Sequence, residues 1–116
     1  MRGISFSAHS ALEVAAAPAI MVVPFLLGFG QAAAVIAFAL GVVLLGHALQ
    51  IEGPRRVVSL STHAGLDYVL AALAISAGLG IGVATGEWGA GAFLVGVGAA
   101  QGTLTAFTRF SAPLSA

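Results

Sequence analysis

The apolar positions of the chain fall into four long runs, and the polar positions collect in the gaps between them. The runs cover residues 11–29, 32–49, 64–84 and 88–107, close to the roughly 20 residues that a helix needs to cross a bilayer. The gaps differ in chemistry. Gly28-Phe29-Gly30-Gln31 and Ala84-Thr85-Gly86-Glu87 are short turns suited to tight helical hairpins, whereas Ile51-Glu52-Gly53-Pro54-Arg55-Arg56 is a polar loop with a Gly-Pro breaker. The pattern predicts an all-α, polytopic membrane protein, a single domain of four transmembrane helices over residues 1–116. Pro18 and Pro24 lie inside the first run, where each removes a backbone hydrogen bond and predicts a kink.

The arginines orient these helices. Arg2 precedes the first, Arg55 and Arg56 lie in the middle loop, and Arg109 follows the fourth. With four spans all of them fall on one side, whereas three or five would split them. The positive-inside rule then places both termini in the cytoplasm and turns Glu87 and Trp88 outward. Met1-Arg2 ahead of an apolar run has the outline of a signal peptide, but the run from Val14 to Phe29 is long, and a retained first helix is expected.

Composition narrows the function classes. Of 116 residues, 59% are hydrophobic and 7% charged, against about 25% charged in soluble domains. The mean hydropathy of +1.08 agrees. Cysteine is absent, which excludes disulfides, thiolate metal sites and cysteine nucleophiles. Net charge is zero and Arg55-Arg56 is the only basic pair, so nucleic-acid binding has no electrostatic basis. The expected surroundings are lipid, with the chain itself or another membrane protein as partner.

Small residues mark the faces along which the helices approach. Ala74, Gly78, Gly82 and Gly86 form a ridge at four-residue spacing in the third helix, and Gly98, Gly102 and Ala106 repeat the pattern in the fourth. Such ridges let these two helices pack closely within one chain, with dimerisation as the alternative.

Sliding the chain by 54 positions lays Ser5-Phe6-Ser7-Ala8-His9-Ser10-Ala11-Leu12-Glu13 over Ser59-Leu60-Ser61-Thr62-His63-Ala64-Gly65-Leu66-Asp67. Both copies read Ser-x-Ser-x-His-x-x-Leu-acid, each where a helix enters the membrane. Ala17/Ala71 and Gly28/Gly82 continue the match, and one inserted residue brings Gly41 over Gly96 and Leu49 over Leu104. The polar matches weigh most, because the chain has only three histidines and four acids. Tandem two-helix repeats over about 5–52 and 59–110 are expected, related by an axis along the membrane normal.

Pro24-Phe25-Leu26-Leu27-Gly28-Phe29 resembles the Pro-Trp-x-x-Gly-Phe core of the bacterial SPW-repeat membrane proteins. This sequence has Val23 for the family's serine and Phe25 for its tryptophan, and the second copy, Ala77 to Gly82, lacks proline and aromatic alike. The resemblance implies two-helix units with a histidine and an acid near the start of the first helix. It implies no activity.

His9 and Glu13 are four apart and stack on one helix face, as do His63 and Asp67, and His47 lies at similar depth near the end of the second helix. As structural polar pairs, Glu13 and Asp67 serve the helix N-termini, with Ser10 and Glu13 fitting a capping box and Ser61 or Thr62 capping the other copy. As a cofactor site, His9, His47 and His63 offer haem ligation, which requires His47 to face His9 or His63, or imidazole–carboxylate binding of a divalent metal. A proton or substrate pathway lacks polar groups in the outer half beyond Ser76, Thr85 and Glu87. No hydrolase constellation and no lysine-bearing phosphate loop is present, so no enzyme is expected. The leading expectation is a structural or accessory membrane protein without cofactor, and the alternative is a cofactor-binding membrane anchor.

Overall fold

The computed structural model describes residues 3–49 and 59–110. Arg2, the whole Gly-Pro loop with Arg55 and Arg56, and the last six residues lie outside them. Four helices follow in order: α1 (Phe6–Leu26), α2 (Gln31–Leu49), α3 (Leu60–Thr85) and α4 (Trp88–Ala106). The first three are long and apolar enough to cross a membrane. In α4, five glycines together with Gln101, Thr103 and Thr105 lower the hydropathy of the span.

α1 and α3 begin earlier than the hydrophobic runs. Ser5 and Ser59 are the N-caps, their hydroxyls accepting the amides of Ala8 at 3.1 Å and Thr62 at 3.2 Å. The capping box expected at Ser10 and Glu13 is therefore absent: both residues lie inside α1 and are buried. Hydropathy marked where polar residues stop, whereas these polar residues are turned inward and continue the helix. At the other end, α1–α2 and α3–α4 turn through Gly28 and Gly86, at φ of 72° and 74°, a left-handed conformation that glycine adopts without steric cost.

Two antiparallel hairpins result, with most contacts inside each hairpin and fewer between them. In α3–α4, a Cβ on Gly78 would lie 2.5 Å from the Gly91 carbonyl oxygen and one on Gly91 2.6 Å from that of Gly78, so the backbones touch. Gly98 sits on the Ala71 carbonyl, Gly102 makes an ordinary contact with the Ala71 methyl, Gly82 is covered by the Trp88 indole, and Ala74 is buried. α1–α2 crosses at Gly41, which rests on the Ala17 carbonyl and Met21.

The interior is layered. Toward the turns, Ala33, Ala37, Ile81, Ala90 and Leu94 form an apolar core, with Phe29 and Phe93 against it. Ala17, Ile20 and Leu44 fill the middle. The third layer, at the end where the chain enters and leaves the bundle, is polar. Large apolar side chains face outward instead, Leu26 and Val83 with 78% and 79% of their surface free. Small and polar residues inside with large apolar ones outside suit lipid as the surroundings, since lipid-facing side chains gain nothing by burial. The segments flanking the bundle are joined: Ile4 bridges to Thr108, its amide donating to the Phe107 carbonyl at 3.0 Å and its carbonyl accepting from Arg109 at 2.9 Å.

Candidate metal centre

His9 and His63 are each the fourth residue of their helix and Glu13 and Asp67 each the eighth, so the Ser5 and Ser59 caps set the two pairs at matching depth. All four side chains turn into the bundle and are at most 1% exposed. They form a closed ring of alternating nitrogen and oxygen. His9 Nε2 lies 3.2 Å from Glu13 Oε1. Glu13 Oε1 lies 3.1 Å from His63 Nε2, which is 3.3 Å from Asp67 Oδ1. Asp67 Oδ2 closes the ring 3.0 Å from His9 Nε2. One ligand atom from each residue can be chosen so that all lie within 4.8 Å of one another.

Other side chains hold the ring in place. The Thr108 hydroxyl donates its only hydrogen to the Leu104 carbonyl at 2.6 Å, so it accepts from His9 Nδ1–H at 2.8 Å. His9 is thereby oriented with Nε2 toward the carboxylates. Gln101 divides its amide hydrogens between Glu13 Oε2 at 2.7 Å and Asp67 Oδ1 at 3.0 Å. His47 Nε2 donates to Asp67 Oδ1 at 2.7 Å while its ring stacks on that of His63 at 3.7 Å and 12°. The Phe6 and Phe110 rings pack over His9 and His63, with centroids 5.2–6.4 Å apart. Among the described residues, no arginine or lysine contacts the two acids; histidines do.

Hydrogen bonding leaves two facing atoms unused. His9 Nε2 and Asp67 Oδ2, in side chains with no exposed surface, have no hydrogen-bond partner although they are 3.0 Å apart. Their separation suits a hydrogen bond, but none forms between them. His63 Nδ1 and Thr105 Oγ1 are also unpartnered. An unpaired polar group in such surroundings costs about 1–3 kcal/mol, and a buried charge costs more.

The structure thus brings together His9, Glu13, His47, His63 and Asp67. The helix-packing set lies along the α3–α4 contact, with Ala74, Gly78 and Gly82 toward the turns and Gly98 and Gly102 against Ala71, one turn from Asp67. Sequence reasoning missed Gln101 and Thr108. A signal for Gln101 was present only in the uninterrupted 54-residue offset, which lays His47 over it; the inserted residue that matched Gly41 to Gly96 moved His47 onto Gly102 and hid it. Thr108 had none, because the Ile4–Thr108 pairing places it. No family model, curated protein or solved structure matches the chain.

Proposed function

We propose that the chain is a small, non-enzymatic accessory protein of the bacterial plasma membrane, and that it holds one divalent ion of the zinc type between His9, Glu13, His63 and Asp67. The observation that carries this reading is the orphaned pair His9 Nε2 and Asp67 Oδ2, buried and 3.0 Å apart with no hydrogen bond between them. A cation there uses both lone pairs.

Three further features support it. One nitrogen or oxygen from each of the four residues lies within 4.8 Å of the others, a set that closes to the roughly 3.3–3.4 Å edges of a tetrahedron with bonds of about 2.0–2.1 Å through modest side-chain movement. Two carboxylates neutralise a divalent ion with both imidazoles uncharged, which suits a low-dielectric interior. Thr108, Gln101 and His47 supply the outer hydrogen bonds that orient metal ligands. Haem is a poorer match, because the His47 and His63 rings lie face to face and their nitrogens do not oppose one another across an iron.

Four protein donors leave no open coordination position, so the ion has a holding role rather than a catalytic one. Two donors come from α1 and two from α3, one helix of each hairpin, so the ion staples hairpins that otherwise touch little. In this reading all four helices cross the membrane, the hairpins are tandem copies of one unit as in the SPW-repeat proteins, and both termini are cytoplasmic.

Elemental analysis of protein purified from zinc-supplemented cells is expected to find close to one ion per chain. Asp67→Asn and His9→Ala are expected to lose it while remaining helical by circular dichroism. If the parent protein carries no metal, and neither zinc nor a chelator moves its melting temperature, the ring is held by shared protons. The accessory reading then stands without a cofactor. A reporter fused after Ala116 is expected to read as cytoplasmic, and a periplasmic reading would sink the four-span topology.

A further inference from the structure

A second feature lies beside the ring and does not depend on whether an ion occupies it. A cavity of about 420 Å³ runs between α1 and α4, within the 300–1,000 Å³ usual for small-molecule sites. Ile20, Leu44, Leu70 and Val97 contribute to its apolar wall. It extends along α1 from Glu13 to Val23, ten residues or about 15 Å of helix. Exposed alanines at 16, 19 and 100 form its rim, so it opens sideways, where the bilayer would lie. Glu13 and Gln101 form its polar floor.

The floor selects the head of whatever fills the cavity. Gln101 spends both amide hydrogens on Glu13 and Asp67 and keeps its carbonyl oxygen as an acceptor. Glu13 accepts from His63 through Oε1 and from Gln101 through Oε2. A head group meeting this pair must therefore donate. An anionic carboxylate or phosphate head and a quinone carbonyl offer this pair only further acceptors. The floor also lies about 10 Å along α1 from its first residue, deeper than a phospholipid head group travels. A hydroxyl is small and uncharged enough to follow a chain to that depth.

We propose that this cavity binds a single-chain lipid alcohol, its hydrocarbon between α1 and α4 and its hydroxyl donating to the Glu13–Gln101 pair.

The test is photolabelling in phospholipid nanodiscs with a diazirine-bearing hexadecanol, competed by hexadecanol, hexadecanoate or hexadecane. Crosslinks are expected on α1 and α4 peptides lining the cavity. Hexadecanol is expected to compete roughly tenfold better than the acid or the alkane, the weight of one hydrogen bond away from water. Val97→Trp, which fills the cavity, is expected to cut labelling about tenfold, with Ala16→Leu as a second filler should the first misfold. Gln101→Leu is expected to erase the preference for the alcohol. Competition by the alkane or the acid equal to that by the alcohol overturns the proposal, and so does labelling spread evenly over the outer faces of the helices.

Discussion

At the turn end of the bundle the hairpins meet through Ala33, Ala37, Ile81, Ala90 and Leu94. At the opposite end they meet through three histidines, two acids and a glutamine. In water the apolar contact would be the stronger glue. In lipid it gains little, because hydrocarbon already surrounds the free hairpin. Directional polar contacts have no such substitute, and they fix which hairpin pairs with which and at what depth. The turn end uses one contact of that kind: the Gly30 amide, at the start of α2, donates to Glu87 Oε1 at 3.2 Å. Recognition between the hairpins is thus concentrated at one end, and close packing does the work elsewhere.

The largest effect is expected at the polar end. Asp67→Ala leaves His9, His47 and Gln101 facing an emptied site, and removing one member of a buried ion pair costs about 3–5 kcal/mol. Reversible unfolding in detergent measures it, and a loss below that of the glycine variant described next would break the contrast between the ends. Gly78→Ala comes second. Its methyl would lie 2.5 Å from the Gly91 carbonyl, and overpacking of this kind costs about 1–3 kcal/mol. The same measurement is expected to show the α3–α4 hairpin loosened, and an unchanged midpoint would mean that the helices separate freely.

Glu87→Ala is expected to cost about 1 kcal/mol, the usual worth of a side chain that satisfies a helix-start amide. Hydrogen exchange at Gly30 reads it locally, and undiminished protection there would show that the turn end pairs through apolar contact alone. Val83→Ala is expected to change stability by less than about 0.5 kcal/mol, since the side chain is 79% exposed on the outer surface of the bundle. A larger loss would mean that another protein covers that face.

Much of this was legible before the fold. The four hydrophobic runs correspond to the four helices, and their ends near Leu49, Thr85 and Trp88 agree closely. His9, Glu13, His63 and Asp67 stood out because polar residues are scarce in this chain and the pattern recurs at 54 residues. The starts of α1 and α3 were misread because hydropathy cannot distinguish a polar residue at a boundary from one buried by its neighbours. The glycine matches misled for another reason. Gly28 was laid over Gly82, but Gly86 shares its turn conformation, and Gly82 lies inside α3 under Trp88. Gly41 was laid over Gly96, yet Gly41 crosses at Ala17 and Gly98 crosses at Ala71, two alanines that are themselves 54 apart. With sixteen glycines in the chain, a single identity says little about which one makes the crossing. Thr108 was out of reach because its position depends on Ile4, at the other end of the sequence.

That joining of Ile4 to Thr108 bears on how the protein is made. Ribosomes deliver roughly 5–20 residues each second. Glu13 is bonded to Gln101, 88 residues later, so the acid waits on the order of 4–18 s for its amide. His9 waits longer still for Thr108, 99 residues downstream. Throughout that interval His9 and Glu13 have each other, and later His63, but not the glutamine and threonine that orient them. Until α4 is complete, the polar layer therefore lacks the hydrogen bonds that Gln101 and Thr108 supply, and the two hairpins cannot be locked in register at that end.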